Sequence, residues 1–309
     1  MTATSYGTGQ EAWHQESSAP WPVTWLTWPL LFTANAGVAL HAIARHWDYS
    51  TALAYVLAMN VVVLVSLESI FPVKRMWRMT WRSFLRDLKY LAAGNVTFAA
   101  VNAVFAAASI RLNEGHTGPI TDWPLYVAVP VTLLVVDLLN YWQHRWSHES
   151  KGRLGEFLWR THVAHHLPDQ VYVFMHVAAH PINAFLVRGF VNLLPMYLLG
   201  ATSETVFLAN TVIALQGLVS HCNLDLRAGP FNYLFVGTEL HRFHHSAETS
   251  ESKNYAATLS LFDIAFGTFY YRPGRVPQRL GVADQSAYPG SNEFWKVMKL
   301  PFTSPARIR

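Results

Sequence analysis

The apolar residues of this chain are gathered into long runs. Trp25–Ala44, Ala52–Phe71, Leu91–Ile110 and Pro124–Trp142 each approach the ~20 residues a helix needs to cross a bilayer, and the third carries no charged residue at all. Four such runs in one chain predict an all-α integral membrane protein rather than a soluble domain with buried helices. A further apolar stretch, Pro181–Ser220, is interrupted by Leu199-Gly200-Ala201-Thr202. It is long enough for two helices in a hairpin, which returns the chain to the side it left. Arg188 and Glu204 lie inside this stretch. A charge at membrane depth requires a partner, a water-filled cavity or a shallow re-entrant position, and the sequence leaves these three open.

Composition supports the membrane reading. The 309 residues are 51% hydrophobic and 14% charged, where a soluble protein has about a quarter of its residues charged. The formal net charge of +4 does not indicate nucleic acid, because the basic residues sit beside the apolar runs and form no independent basic domain. Their placement sets an orientation. Pro72–Tyr90 holds six basic residues against one acidic, and Arg111–Trp123 holds one basic against two acidic. The positive-inside rule puts the first loop in the cytosol and the second outside, and Trp47, Trp123 and Tyr126 fit interfacial anchors. The fourth run then brings the chain back to the cytosol at His144, followed by Arg145, Lys151, Arg153 and Arg160. Residues 1–20 read as a mature cytosolic tail with neither the basic region nor the cleavage site of a signal peptide. Residues 21–309 show no internal repeat or linker and are expected to form one domain. The single cysteine, Cys222, excludes an internal disulfide and a four-cysteine iron–sulfur centre within one chain.

The candidate chemistry lies between His144 and His245, which hold eleven of the fifteen histidines. Most fall into three boxes: His144-x-x-x-His148, His162-x-x-His165-His166 and His241-x-x-His244-His245. On a helix the i, i+3 and i, i+4 spacings bring two rings onto one face, and imidazole suits Zn, Cu, Fe and Ni. One such pair is more often a core or surface feature. Eight histidines in three boxes are too many for one tetrahedral zinc and point to two metals in a nitrogen-rich cage. Asp137, Tyr141, His144 and His148 follow i, i+4, i+7, i+11 and share one stripe. Ligand histidines commonly give their second N–H to a carboxylate or carbonyl. Asp137 is therefore expected to accept from a ligand histidine, and Tyr141 to donate to a metal-bound oxygen species, with helix packing and interfacial anchoring as the plainer alternatives.

From Asp137 to Phe269 the chain resembles the fatty acid hydroxylase / sterol desaturase superfamily of membrane non-haem di-iron oxidases. The resemblance runs through Asp137-Leu-Leu-Asn-Tyr-Trp-Gln-His-Arg-Trp-Ser-His148, Phe157-Leu-Trp-Arg-Thr-His-Val-Ala-His-His166, His221-Cys-Asn223, Glu239-Leu-His-Arg-Phe-His-His-Ser246, Asn254-Tyr255 and Phe262-Asp-Ile-Ala-Phe-Gly-Thr-Phe269. The resemblance implies a four-helix transmembrane base, a cytosolic helical cap holding two irons, and His221 as a ninth ligand. Residues 1–136 share only the membrane spans. Departures fall after the second box, where Ala178-Ala-His-Pro-Ile-Asn183 keeps His180 and Pro181 of an Arg-x-His-Pro-Leu-Glu motif but loses both charges, and at Phe262 and Cys222, which replace Trp and Ser. His176 and His180 are i, i+4 and add two further candidate ligands, with a structural role favoured for His180 beside the helix-starting Pro181. His14, His41, His46 and His116 match nothing and read as surface or interfacial.

Attack on an unactivated C–H bond draws on O2 and two electrons, which redox-inert zinc cannot handle; iron is the functional expectation. The chain contains no His-Pro-Gly-Gly haem segment, no cysteine set for iron–sulfur and no Gly-x-Gly-x-x-Gly fingerprint, so electrons are expected from a separate ferredoxin or cytochrome b5 type protein. The function expected is hydroxylation of a fatty acyl, sterol or isoprenoid substrate, with desaturation or methyl oxidation as the alternative. A non-redox metal transporter or sensor is a more remote reading, since a transporter places polar residues deep along several spans and the histidine boxes here collect at one end.

Overall fold

The computed structural model describes residues 19–112 and 116–303. All but the last two residues of the expected N-terminal tail lie outside the described residues. Among the described residues there are eleven α-helices, with short 3-10 turns between them: α1 Trp21–Ala44, α2 Tyr49–Ile70, α3 Trp81–Leu112, α4 Leu125–Glu149, α5 Gly152–His166, α6 Pro181–Phe185, α7 Leu194–Leu199, α8 Ser203–His221, α9 Thr238–His244, α10 Leu261–Ala265 and α11 Phe294–Lys299. A π-helical segment, Leu186–Leu193, joins α6 to α7, and among the described residues only isolated β-bridges occur.

Four described helical stretches are long and apolar enough to cross a membrane: α1, α2, α4 and Pro181–Leu199. The first three overlay the expected runs. The expected third run begins ten residues into α3, whose basic, amphipathic start extends it to 32 residues, about 48 Å of helix. α4 does not stop at Trp142 but continues to Glu149, so His144 and His148 stand on its extension. The protein is a membrane protein. Leu30, Leu40, Tyr55, Val62 and Val96 are exposed on the helix flanks, which lipid accepts and water would not over so wide a surface.

α8 is the axis of the bundle and packs against α1, α2 and α4. Two polar pairs join helices inside the bundle. Asn35 and Asn60 exchange amide hydrogen bonds of 3.0 Å between α1 and α2, and Trp28 Nε1 donates to Gln216 Oε1 at 2.9 Å between α1 and α8. Such bonds join helices where lipid offers no alternative partner.

Local chemistry sets the helix ends. Asp48 starts α2 by accepting from the Thr51 N–H at 2.8 Å, and the Thr202 hydroxyl accepts from the Thr205 N–H at the start of α8. Gly200, at φ 68°, ends α7 in the left-handed conformation and opens the hairpin expected at residues 199–202. Gly118 fits against this turn without a side chain, because a Cβ there would lie 2.5 Å from the Leu199 carbonyl carbon. Pro195 has no N–H to return to Val191, and the Leu194 N–H instead reaches Gly189 O. This is the five-residue bond of a π-helix.

At the opposite end of the bundle the segments after α4 and α8 close over the helices. Val73 N donates to Asn223 O at 3.0 Å, and the Glu68 carboxylate at the end of α2 accepts from Val173 N at 3.1 Å and Asn223 N at 2.9 Å. The basic segment after α2 therefore lies at the same end as the C-terminus of α8. Glu204 sits in the first turn of α8 and accepts from the Tyr49 hydroxyl at 3.1 Å, away from the middle of the bundle.

Candidate metal centre

Four elements carry the histidines to one place. α4 brings His144 and His148, α5 brings His162, His165 and His166, α8 ends on His221, and α9 brings His241 and His244 with His245 as its C-terminal cap. The rings sort into two groups. His144, His148, His162, His166 and His244 present ligand atoms within 4.8 Å of one another, and so do His165, His221, His241 and His245. Within the first group His162 Nε2 is 3.0 Å from the Nε2 of both His144 and His166, and His166 Nε2 is 3.1 Å from that of His244. Within the second, His221 Nε2 is 3.0 Å from the Nε2 of His165 and of His241, and His241 lies 3.2 Å from His245. The groups adjoin through His166 and His245, stacked at 4.6 Å between ring centroids.

The far nitrogens show why these contacts call for cations. Nδ1 of His144 donates to Tyr255 O (2.7 Å), that of His244 to Lys253 O (2.9 Å), that of His165 to Ala178 O (3.1 Å) and that of His221 to Gly217 O (2.8 Å). A carbonyl can only accept, so these rings carry their proton on Nδ1 and turn an Nε2 lone pair inward. Burial, then the neighbouring imidazoles, hold His162, His166, His241, His244 and His245 well below the usual histidine range, and burial brings His165 to about 4. The rings are neutral, as ligation requires. Lone pairs facing each other at 3 Å repel unless a cation lies between them. His148 Nε2 is buried with no protein partner. The residues present therefore fit two metal ions, one held by five imidazoles and one by four.

The structure gives Asp137 and Tyr141 partners other than the histidines. Asp137 accepts no histidine N–H. Its carboxylate takes the backbone N–H groups of Ala257 (3.2 Å), Thr258 (2.9 Å) and Leu259 (2.8 Å), so it anchors the loop before α10. Tyr141 is fully buried, shares a hydrogen bond of 3.0 Å with Thr268 Oγ1, accepts from Arg145 and stacks on Phe266. Its hydroxyl is engaged by Thr268 and Arg145. The stripe they share with His144 and His148 is real, but α4 twists past several neighbours along its length and only its last turns reach the histidines.

His180 starts α6: its Nδ1 accepts from Ile182 N at 3.1 Å and its Nε2 donates to Met298 O at 3.2 Å. His176 belongs to neither group, although its ring lies 4.8 Å from that of His221. The partners the sequence reading missed are mostly backbone carbonyls, which no side-chain pattern encodes. Asp263 is the exception. It accepts from Tyr255 N (2.7 Å), Ala256 N (3.0 Å) and Thr268 Oγ1 (2.7 Å), holding the segment whose carbonyl receives His144, and it was visible in Phe262-Asp263.

Beside both groups opens a cavity of ≈ 340 Å³ reached by His144, His162, His165, His221 and His241. Residues 129–268, which contain all nine of these histidines, match the fatty acid hydroxylase family. Over these residues the chain is similar to that family. It is 29% identical over 296 residues to the ornithine lipid hydroxylase OlsE of Rhizobium tropici, covering 92% of this chain and 86% of that protein. It is 27% identical over 154 residues to the very-long-chain aldehyde decarbonylase GL1-11 of Oryza sativa subsp. japonica, covering 48% of this chain and 55% of that one. With the sphinganine C4-monooxygenase 2 of Arabidopsis thaliana it shares 23% over 141 residues, 45% of this chain and 52% of that one. No solved structure matches it. The protein is an enzyme that is similar to these over residues 129–268, and the first of these likenesses extends into the N-terminal helices, beyond the region in which motifs were legible.

Proposed function

We propose that this protein is a non-haem di-iron, O2-dependent hydroxylase of an amphipathic lipid. The observation that carries the reading is the pair of imidazole groups, five and four, with inward lone pairs beside a cavity. Two irons bound there would supply the redox change that inserts one oxygen atom of O2 into a C–H bond, while two electrons and two protons from outside carry the other oxygen to water. The chain's own part is to hold and shield. The backbone carbonyls of Tyr255, Lys253, Ala178 and Gly217 fix the ring orientations, and the buried rings keep bulk water from the centre.

The histidine end is assigned to the cytosolic side. The basic segment after α2 is tied to Asn223, two residues from His221, and shares that end. Its Lys and Arg side chains offer a docking surface to an acidic electron-donor protein such as a ferredoxin or a cytochrome b5 type protein. The test is turnover of ornithine lipid by iron-loaded protein with a reductase system under isotopically labelled O2. Product that gains one labelled oxygen atom supports the reading. Product that loses two hydrogens and gains no oxygen replaces hydroxylation with desaturation, and metal binding without oxidation of any lipid overturns the enzyme chemistry proposed.

A further inference from the structure

Arg188 is a cation within a membrane-spanning stretch and has no described anion beside it. It stands on the π-helical segment Leu186–Leu193, with the ring of Phe98 5.2 Å from the guanidinium carbon and buried His176, a like-signed neighbour when protonated, on the same cavity. The carboxylates of the spanning helices are engaged elsewhere: Glu68 with Val173 and Asn223, Asp137 with residues 257–259, Glu204 with Tyr49. Four residues on, about one turn of a π-helix, the Asn192 side-chain oxygen is buried without a partner.

Both residues face space. Arg188 and Asn192 line the cavity beside the histidines and also a second cavity of ≈ 590 Å³. The two share Ile213 and Ala214 as well, so they meet at this level of α8. Ala214 precedes His221 by seven residues, about 10 Å of helix. In the other direction the second cavity extends to Leu53, Val206 and Phe207, with Ser50, Ser203 and Asn210 also on its lining.

A lone guanidinium at this depth is costly unless an anion arrives to pair with it, and its planar fork is suited to two-point contact with carboxylate or phosphate oxygens. We propose that Arg188 is the recognition site for an anionic oxygen group of the substrate, a carboxylate or a phosphate ester, with the acceptor oxygen of Asn192 open to an N–H or O–H of the same polar end. The hydrocarbon chain then lies in the second cavity and the polar end faces the histidines. The proposal rests on the lipid hydroxylase reading and names what that lipid must carry. Zinc-loaded protein suffices to test it, because binding needs no turnover.

The experiment measures binding of palmitate, hexadecyl phosphate and methyl palmitate to the detergent-solubilised full chain, as wild type, Arg188→Gln and Arg188→Lys. Wild type is expected to bind at least one anion ~10-fold or more above the uncharged ester. Arg188→Gln should lose ~10–100-fold for that anion, the range of a charge-assisted hydrogen bond, and keep its affinity for the ester, with Arg188→Lys in between. Preference for palmitate alone assigns the carboxylate and preference for hexadecyl phosphate alone assigns the phosphate. Equal binding of anions and ester by wild type, or undiminished anion binding by Arg188→Gln, overturns the proposal and leaves Arg188 as a side chain reaching for the membrane surface. Unchanged methyl palmitate affinity shows that each variant is folded. Arg188-dependent anion binding in protein that takes up no iron would sink the di-iron reading and leave the recognition site standing.

Discussion

The Nδ1–H of His144 donates to the backbone carbonyl of Tyr255 at 2.7 Å, and the Tyr255 N–H donates in turn to Asp263 at 2.7 Å. A ligand candidate on α4 is thus oriented by a loop more than a hundred residues away, and that loop is held by a carboxylate behind it.

This chain of bonds separates two substitutions. Asp263→Ala frees Tyr255 N and Ala256 N and lets the carbonyl drift, so iron affinity should fall ~10–100-fold, the usual cost of losing a partner that orients a ligand. Tyr255→Phe removes only the hydroxyl bond to Glu149 and leaves the carbonyl in place; iron titration should find it close to wild type. Equal losses in both would show that the aromatic hydroxyl, and not the backbone, positions His144.

Asp137→Asn tests the loop-anchoring role of that residue. One amide oxygen remains to accept, and the new NH2 group faces backbone donors at 2.8–3.2 Å. Thermal unfolding should show a loss of about 1–3 kcal/mol of similar size with and without metal. A loss confined to metal-loaded protein would return Asp137 to the service of a histidine.

Two separate imidazole groups predict separable metals. His148→Ala and His241→Ala remove one nitrogen each from different groups, and metal analysis of dialysed protein should find each variant retaining about half the wild-type iron, with no turnover in either. Exchange of iron for zinc in wild type should preserve the fold and abolish oxidation, since zinc has no redox chemistry. Turnover by the zinc form would refute an iron role.

Gly118→Ala and Gly37→Ala make a stability pair. A Cβ on Gly118 meets backbone at 2.5 Å, and one on Gly37, inside α1, meets nothing within 4 Å. The first should cost about 1–3 kcal/mol by overpacking, and the second should be neutral or gain up to ~1 kcal/mol from helix propensity. Thermal melts in one detergent compare them directly.

Tags placed after Pro72 and after Lys151 should be accessible from the cytosol, and one after Asp122 only from outside. Protection of the Lys151 tag together with the Asp122 tag would reverse the orientation argued from the basic segment.

The helices and the gathering of the box histidines were legible in the sequence because both depend on short-range spacing. A run of about twenty apolar residues is a span wherever it lies, Gly200 ends a helix by its own conformational freedom, and three histidine boxes keep their i, i+3 and i, i+4 geometry whatever surrounds them. The partition into groups of five and four was not legible, since adjacent residues His165 and His166 go to different groups and only the crossing of α4, α5, α8 and α9 decides which. The same holds for Asp137 and Tyr141. Spacing put them on one stripe with His144 and His148, but the residues that meet that stripe belong to a loop 120 positions later in the chain. Arg188 carried an open question in the sequence among a partner, a cavity and a shallow position. The structure places it on the lining of two cavities and gives it no carboxylate, because those that could have paired with it are bound to backbone amides or to Tyr49, and pairing across a fold is a property of packing and not of sequence order.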